Sequence, residues 1–311
     1  MQYHWLRQNP LKITIKLFRR GIFTSTMANS KYEDAKKFER ENYLTPNTWI
    51  VVRVDGKNFS RFCDSHQFVK PNDVRALNLM NKAAKTVLEE FKEIILAFGQ
   101  SDEYSFVFGK ETELYNRRES KLVSYVNSLF TSAYVFNWSQ HFQNVPLKYP
   151  PSFDARAVIY PSNEDLRKYL SWRQADVHVN NLYNTCFWNL VLQKNMTCSE
   201  AQIRLKGSLS SDKNELLFKD FGINYNNEPL MFRKGTTLIK KLLPDDDGKT
   251  KFSILQIHDD IIGEKFWNEN PELLAKKQSA TSLNKLKKLQ RLNNHNDNKT
   301  ISVKVNIASE H

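Results

Sequence analysis

The chain has 311 residues, 40% apolar and 12% aromatic, with a formal charge of +12 at pH 7. That length holds one large domain or two ordinary ones with a proper core, and no apolar run reaches the length that spans a bilayer. Three cysteines, Cys63, Cys186 and Cys198, lack any CxxC spacing, which argues for a reducing compartment and against a disulfide scaffold or a zinc cluster.

The positive charge sits at the two ends. Residues 1–30 carry five Lys or Arg and no acid, and residues 275–311 carry eight against Asp297 and Glu310, so together they supply +11 of the +12. A basic chain invites a nucleic-acid partner, but here any RNA contact by the body must rest on local groups. The first segment, residues 1–26, is basic, acid-free and hydroxyl-rich toward its end. It reads either as a mitochondrial presequence or as an unstructured extension with Met27 as a second start; without a presequence the compartment is cytoplasm or nucleus. Residues 275–311 read as a basic, mobile tail in which "LNKLKKLQRL" has amphipathic helical spacing.

Between the ends the elements follow in order. "TWIVVRVDG" (48–56) is a buried-strand run closed by Asp-Gly. "PNDVRALNLMNKAAKTVLEEF" opens on Pro-Asn and carries a helical stripe through Val74, Leu77, Met80, Ala84, Val87 and Leu88. "EIILAFG" and "YSFVFG" are short strands flanking Gln100-Ser101-Asp102-Glu103, "RRESKLVSYVNSLFTSAYVFNWSQHF" is a second amphipathic helix, and "FDARAVIYP" is a fourth strand ended by Pro161. The order β-α-β-β-α-β is a split βαβ, ferredoxin-like α+β arrangement with both helices on one sheet face.

The stretch "AFGQSDEYSFVFG" (97–109) poses the functional question. An acidic pair between two apolar runs suits a hairpin turn, and it also suits a metal site. The topology favours the second. It sets the end of strand one, with Asp55, beside the turn that carries Asp102 and Glu103, and carboxylates that converge away from water repel unless cations neutralise them. Asp55 and Asp102 are the candidate bridging ligands of two Mg2+ ions, with Glu103 a supporting group and Gly56 able to offer an unobstructed carbonyl. Successive backbone N–H groups of Asp55, Gly56, Lys57, Asn58, Phe59 and Ser60 can cradle a triphosphate. Lys70, Arg118, Lys121 and Lys213 are candidate phosphate cations near element starts; each, taken singly, reads first as a solvated surface charge.

In "SWRQADVHVNNLYNTCFWNLV" (171–191), Val179, Leu182, Cys186 and Leu190 trace a helical stripe, while His178, Asn180, Asn181 and Asn184 occupy other faces. Asn is a poor helix former, so these groups are either a solvated face or a base- and ribose-recognition surface.

Taken together, "MANSKYE", "VVRVDGKNF", "KPNDVRALNLM", "GQSDEYSFVF", "YPSNEDLRKYLSWRQADVHVNNLYNT", "DKNELLF" and "INYNNE" resemble the eukaryotic histidine-tRNA guanylyltransferase family of 3′-5′ polymerases, from about Met27 to Trp267. The resemblance implies a polymerase-like palm over 27–161, a smaller C-terminal helical and β domain over 162–274, and addition of one guanylate to the 5′ end of tRNA(His). It implies metal ligands at Asp55, Gly56 and Asp102, a nucleotide loop from Asp55 to Ser60 joined by Ser101, and the motif "HVNNLYN" from His178 to Asn184, with Val where relatives carry Ile. Ser60 stands where relatives often carry His. ATP, GTP, tRNA(His) and a homotetramer (a dimer of dimers) are the implied partners, with no membrane. A palm-fold nucleotide cyclase and a templated tRNA 5′-end repair polymerase are the alternatives; the first would make cyclic dinucleotide from GTP alone.

Overall fold

The computed structural model describes residues 32–244 and 250–275. The expectations for residues 1–26 and for the tail beyond 275 lie outside the described residues. Two compact units divide at Arg40 and Glu41; the described part of the first holds a single 3-10 helix, Glu33–Phe38.

The second unit is built on a six-stranded antiparallel sheet, in spatial order β4-β1-β3-β2-β5-β6. The strands are β1 (Trp49–Gly56), β2 (Ile94–Gln100), β3 (Glu103–Phe108), β4 (Phe153–Tyr160), β5 (Thr236–Pro244) and β6 (Thr250–Ile257). The helices are α1 (Phe59–Ser65), α2 (Val74–Glu90), α3 (Glu119–Phe136), α4 (Trp138–His141), α5 (Asn163–Gln193), α6 (Cys198–Leu205), α7 (Ser210–Phe221), α8 (Leu230–Lys234) and α9 (Glu264–Glu269). The first four strands with α2 and α3 realise the expected split βαβ core. The sheet then continues past β2 with two strands from the C-terminal portion, so residues beyond 161 complete the palm sheet itself. Among the described residues no helix is long and apolar enough to cross a membrane.

Strand alternation sorts the two faces. Ile50, Val52 and Val54 of β1, with Tyr104, Phe106 and Phe108 of β3, pack against α2 and α3. Trp49 and Val51, with Val107, face the other way and meet Leu166, Tyr169 and Leu170 of α5. Each such fully buried side chain contributes about 1.5–3 kcal/mol of transfer free energy, which is what forces the helices onto both faces. α2 begins where Asp73 caps it, accepting from Arg75 N–H at 2.9 Å. The expected single helix over 117–142 breaks at Asn137, which leaves helical geometry and donates from Nδ2 back to the Ala133 carbonyl at 2.7 Å.

Candidate active site

Three strand ends and one turn build the site. Asp55, next to last on β1, pairs with Glu103 of β3 on one side and Asp154 of β4 on the other. Directly opposed residues share a face, so Asp154, Asp55 and Glu103 make a row of carboxylates across three strands. Asp102 occupies the two-residue β2–β3 turn with Ser101, whose φ of 48° is left-handed. The hairpin reading of this stretch is thus realised, and the turn carries Asp102 to the end of β1. Gly99 lets the turn close, since a Cβ there would lie 2.2 Å from the ring of Tyr104, its pairing partner.

The turn is tied to β1 by Gly56, whose N–H donates to the Asp102 carbonyl at 3.1 Å. A Cβ at Gly56 would sit 2.5 Å from the Phe59 ring and 2.9 Å from Asp102 Oδ2. Glycine is therefore what allows the Asp102 carboxylate to lie against the end of β1. Beyond it, Asn58 takes a left-handed conformation (φ 52°) that turns the chain into α1.

Neutralisation along this row is uneven. Arg173 of α5 donates from Nη1 to both oxygens of Glu103, at 3.1 and 3.4 Å, and from Nη2 to Asp176 at 2.6 Å. Arg53 Nε lies 3.8 Å from Glu103 as well. Arg156 closes on Asp154 at 2.6 Å. Among the described residues no cation comes within ion-pair distance of Asp55 or Asp102, although Arg156 feels the charge of Asp55 from farther off. Burial pushes the Asp102 carboxyl above the usual range; a hydrogen bond with Ser101 pulls it back, and repulsion from Asp55 adds to the rise. Burial likewise raises Glu103, outweighing the pull of Arg173 and Arg53.

Among the described residues no group of three or more His, Cys, Asp or Glu side chains forms a metal-ligand set. Arginines pair with Glu103 and Asp154, and Asp55, Asp102 and the Gly56 carbonyl remain. That set fits Mg2+, which is usually held by one or two carboxylates with the remaining positions filled by water and substrate phosphate.

A cleft of about 660 Å³ opens beside the row, walled by Asp55, Phe59, Ser60, Lys70, Ser101, Asp102 and Glu103 and, from α5, Asn180, Asn181 and Asn184. Lys70 is fixed there by Asp64 at 3.0 Å and by the face of Trp188 at 4.9 Å. Lys57 and Asn58 stand at the turn outside the cleft wall, both exposed. Arg118, Lys121, Lys213 and His178 lie outside it too. Arg118 pairs with Glu41 at 2.5 Å, and Lys213 donates to the Ser208 carbonyl at 2.7 Å. His178 sets its ring against the edge of Tyr225 at 5.5 Å; burial, with Lys234 and Arg233 nearby, holds its imidazole below the usual value.

Within "HVNNLYN" the asparagines divide. Asn181 is buried, donating to Tyr225 Oη at 3.0 Å and accepting from Asn72 Nδ2 at 3.0 Å, so it joins α5 to two distant segments. Asn180 and Asn184 are exposed to the cleft. Sequence reasoning passed over Arg173, Asp154 and Asp176. A signal for Arg173 existed: it follows Leu166, Tyr169 and Leu170 on the apolar stripe of α5 and precedes Val177. An arginine on a buried stripe demands a carboxylate partner.

Known proteins resemble this chain in both of its parts. The family profile described as tRNAHis guanylyltransferase (Thg1) matches residues 32–161, and that of the Thg1 C terminal domain matches 164–308. A probable tRNA(His) guanylyltransferase of Drosophila melanogaster is 55% identical over 250 residues, covering 80% of this chain and 87% of its own. The tRNA(His) guanylyltransferase of Schizosaccharomyces pombe is 52% identical over 257 residues, covering 79% and 98%. Among solved structures, the crystal structure of the Saccharomyces cerevisiae enzyme is 44% identical, with a TM-score of 0.65 over 72% of this chain and 96% of that one. A bacterial tRNA(His) guanylyltransferase-like protein solved with ATP, at 21% identity and TM-score 0.64 over 80% and 100%, shares the fold. By family profile and by sequence identity, this chain is a member of the tRNAHis guanylyltransferase family of nucleotidyltransferases.

Proposed function

We propose that the protein adds a guanylate to the 5′ end of tRNA(His), using ATP and GTP. The observation that carries the reading is the pair Asp55 and Asp102, adjacent, in no ion pair among the described residues, on the wall of a cleft of nucleotide size. In this reading the tRNA 5′-phosphate oxygen attacks the α-phosphorus of ATP and pyrophosphate leaves. The 3′-hydroxyl of GTP then attacks the activated 5′-phosphorus and AMP leaves; water then attacks the α-phosphorus of the added nucleotide, releasing pyrophosphate and leaving a 5′-monophosphate. Asp55, Asp102 and the Gly56 carbonyl would hold two Mg2+ ions, whose contribution is to neutralise the phosphates and activate the attacking oxygen.

The chain's own groups do the positioning. The Gly56 and Lys57 N–H groups are already bonded to the Asp102 and Ser152 carbonyls, so those of Phe59 and Ser60, on the cleft wall, are the ones to meet the triphosphate, and Lys70, oriented by Asp64 and Trp188, supplies a positive charge on the same cleft. Asn180 and Asn184 present amides to base or ribose. Glu103, locked by Arg173, holds the row in register. Assembly as a homotetramer belongs to the same reading and is read directly by light scattering.

The test is incubation of the full chain with 5′-monophosphorylated histidine tRNA, ATP, labelled GTP and Mg2+. Label should enter the tRNA, and Asp55→Ala and Asp102→Ala should lower it by orders of magnitude while remaining folded. Near-normal transfer by either variant overturns the site.

A further inference from the structure

Trp172, on α5, is 53% exposed and is not part of the cleft wall. Its ring nevertheless has a fixed neighbour: the Arg173 guanidinium carbon lies 3.5 Å from the ring centroid. Consecutive helix residues do not ordinarily face one another, so the indole is folded back onto the guanidinium, with Tyr169 edge-on at 6.2 Å. Arg173 is itself buried and held by Glu103 and Asp176. One guanidinium thus separates an exposed aromatic from the carboxylate row. On the same sheet face, opposite Arg53, stands Arg156, with its side chain 56% exposed and also outside the cleft wall.

A large aromatic left in water loses the benefit of burial, and this one lies against the Arg173 guanidinium, which suits a surface made for stacking. Nucleobases stack on such platforms regardless of sequence, and arginine supplies phosphate contact beside them. In-line phosphoryl transfer brings the attacking and leaving groups to opposite sides of phosphorus. A nucleoside triphosphate in the cleft therefore leaves the outer side of the carboxylate row for the polymer. We infer that Trp172, clamped by Arg173, is the stacking platform for the 5′-terminal base of the RNA, with Arg156 receiving the adjacent backbone phosphate; this rests on the guanylyltransferase reading above.

The probe is histidine tRNA carrying 2-aminopurine at its 5′-terminal position and a 5′-monophosphate. Binding to the wild-type protein should quench the 2-aminopurine emission. Trp172→Ala should abolish the quench and raise the KM for tRNA about tenfold with the KM for GTP changed less than about twofold, and Trp172→Phe should keep much of both. Arg156→Ala should raise the tRNA KM and flatten its salt dependence. The platform is overturned if Trp172→Ala quenches and turns over tRNA like the wild type. The two ideas separate cleanly: a wild-type protein that quenches but transfers no guanylate sinks the guanylyltransferase reading and keeps the platform, and one that transfers guanylate indifferently to Trp172 does the reverse.

Discussion

Asp55 and Glu103 occupy the same register position on neighbouring strands, yet among the described residues only Glu103 has a cation within ion-pair distance. Like charges directly opposed across a sheet are destabilising, and α5 delivers a single arginine to one of the two. Under the proposed reading the other is left for Mg2+. Asp55→Asn should therefore be neutral to stabilising in the metal-free protein, raising Tm by about 1–2 °C, while abolishing guanylate transfer. Mg2+ with nucleotide should raise the wild-type Tm and leave the variant's unchanged. Thermal melts with and without Mg2+ decide it; an undiminished Mg2+ response in the variant removes Asp55 from the ligand set.

Asp102 sets a pH dependence of definite sign. Its folded-state pKa is raised above the ordinary carboxyl value, mainly by burial. The folded state thus holds the Asp102 proton more tightly than the unfolded state, and the associated stability is fully present at low pH and is lost as pH rises through the folded-state value. Asp102→Asn cancels this loss. In metal-free urea denaturation, the advantage of Asp102→Asn over wild type should grow with pH from the acid range upward and then level off. A gap that does not change with pH means that Asp102 is not held as a strained carboxylate.

The core was legible because its information is local. The alternation of Ile50, Val52 and Val54 and the stripe of α2 each declare a buried face, and the order of elements then limits the topology to one that sets Asp55 beside Asp102. β5 joins β2 from far along the chain, and a pairing of such separation leaves no mark in either segment alone. Charge is equally uninformative about direction. Lys70 and Arg118 look alike as basic residues near helix starts, but Lys70 lines the cleft and Arg118 turns to Glu41. Arg173 carried a readable sign, being a cation on an apolar stripe, though its partner lies 70 residues away.

Arg173 and Glu103 form a pair with side chains only 7% and 12% exposed. Removing one member strands the other in low dielectric, which typically costs about 3–5 kcal/mol. Arg173→Ala should be destabilised by about 3 kcal/mol or more, and adding Glu103→Gln should recover part of that loss. A double-mutant cycle by chemical denaturation measures the coupling. Strict additivity would show that the two side chains are merely adjacent.

The asparagines of "HVNNLYN" should separate stability from activity. Asn181 is buried and bonded to both Asn72 and Tyr225, so Asn181→Ala leaves the Asn72 amide donor without this acceptor and takes a donor from the Tyr225 phenol, and should cost about 1–3 kcal/mol. Asn184, exposed to the cleft, has no such bonds to lose, and Asn184→Ala should change stability by less than about 0.5 kcal/mol. Under the proposed reading its effect appears instead in kcat/KM, through whichever nucleotide its amide meets, and separate titration of GTP and tRNA at saturating partner identifies which. Equal stability losses for the two variants would contradict the division of roles, because it rests on one side chain bridging α5 to the segments around Asn72 and Tyr225 while the other faces only the cleft.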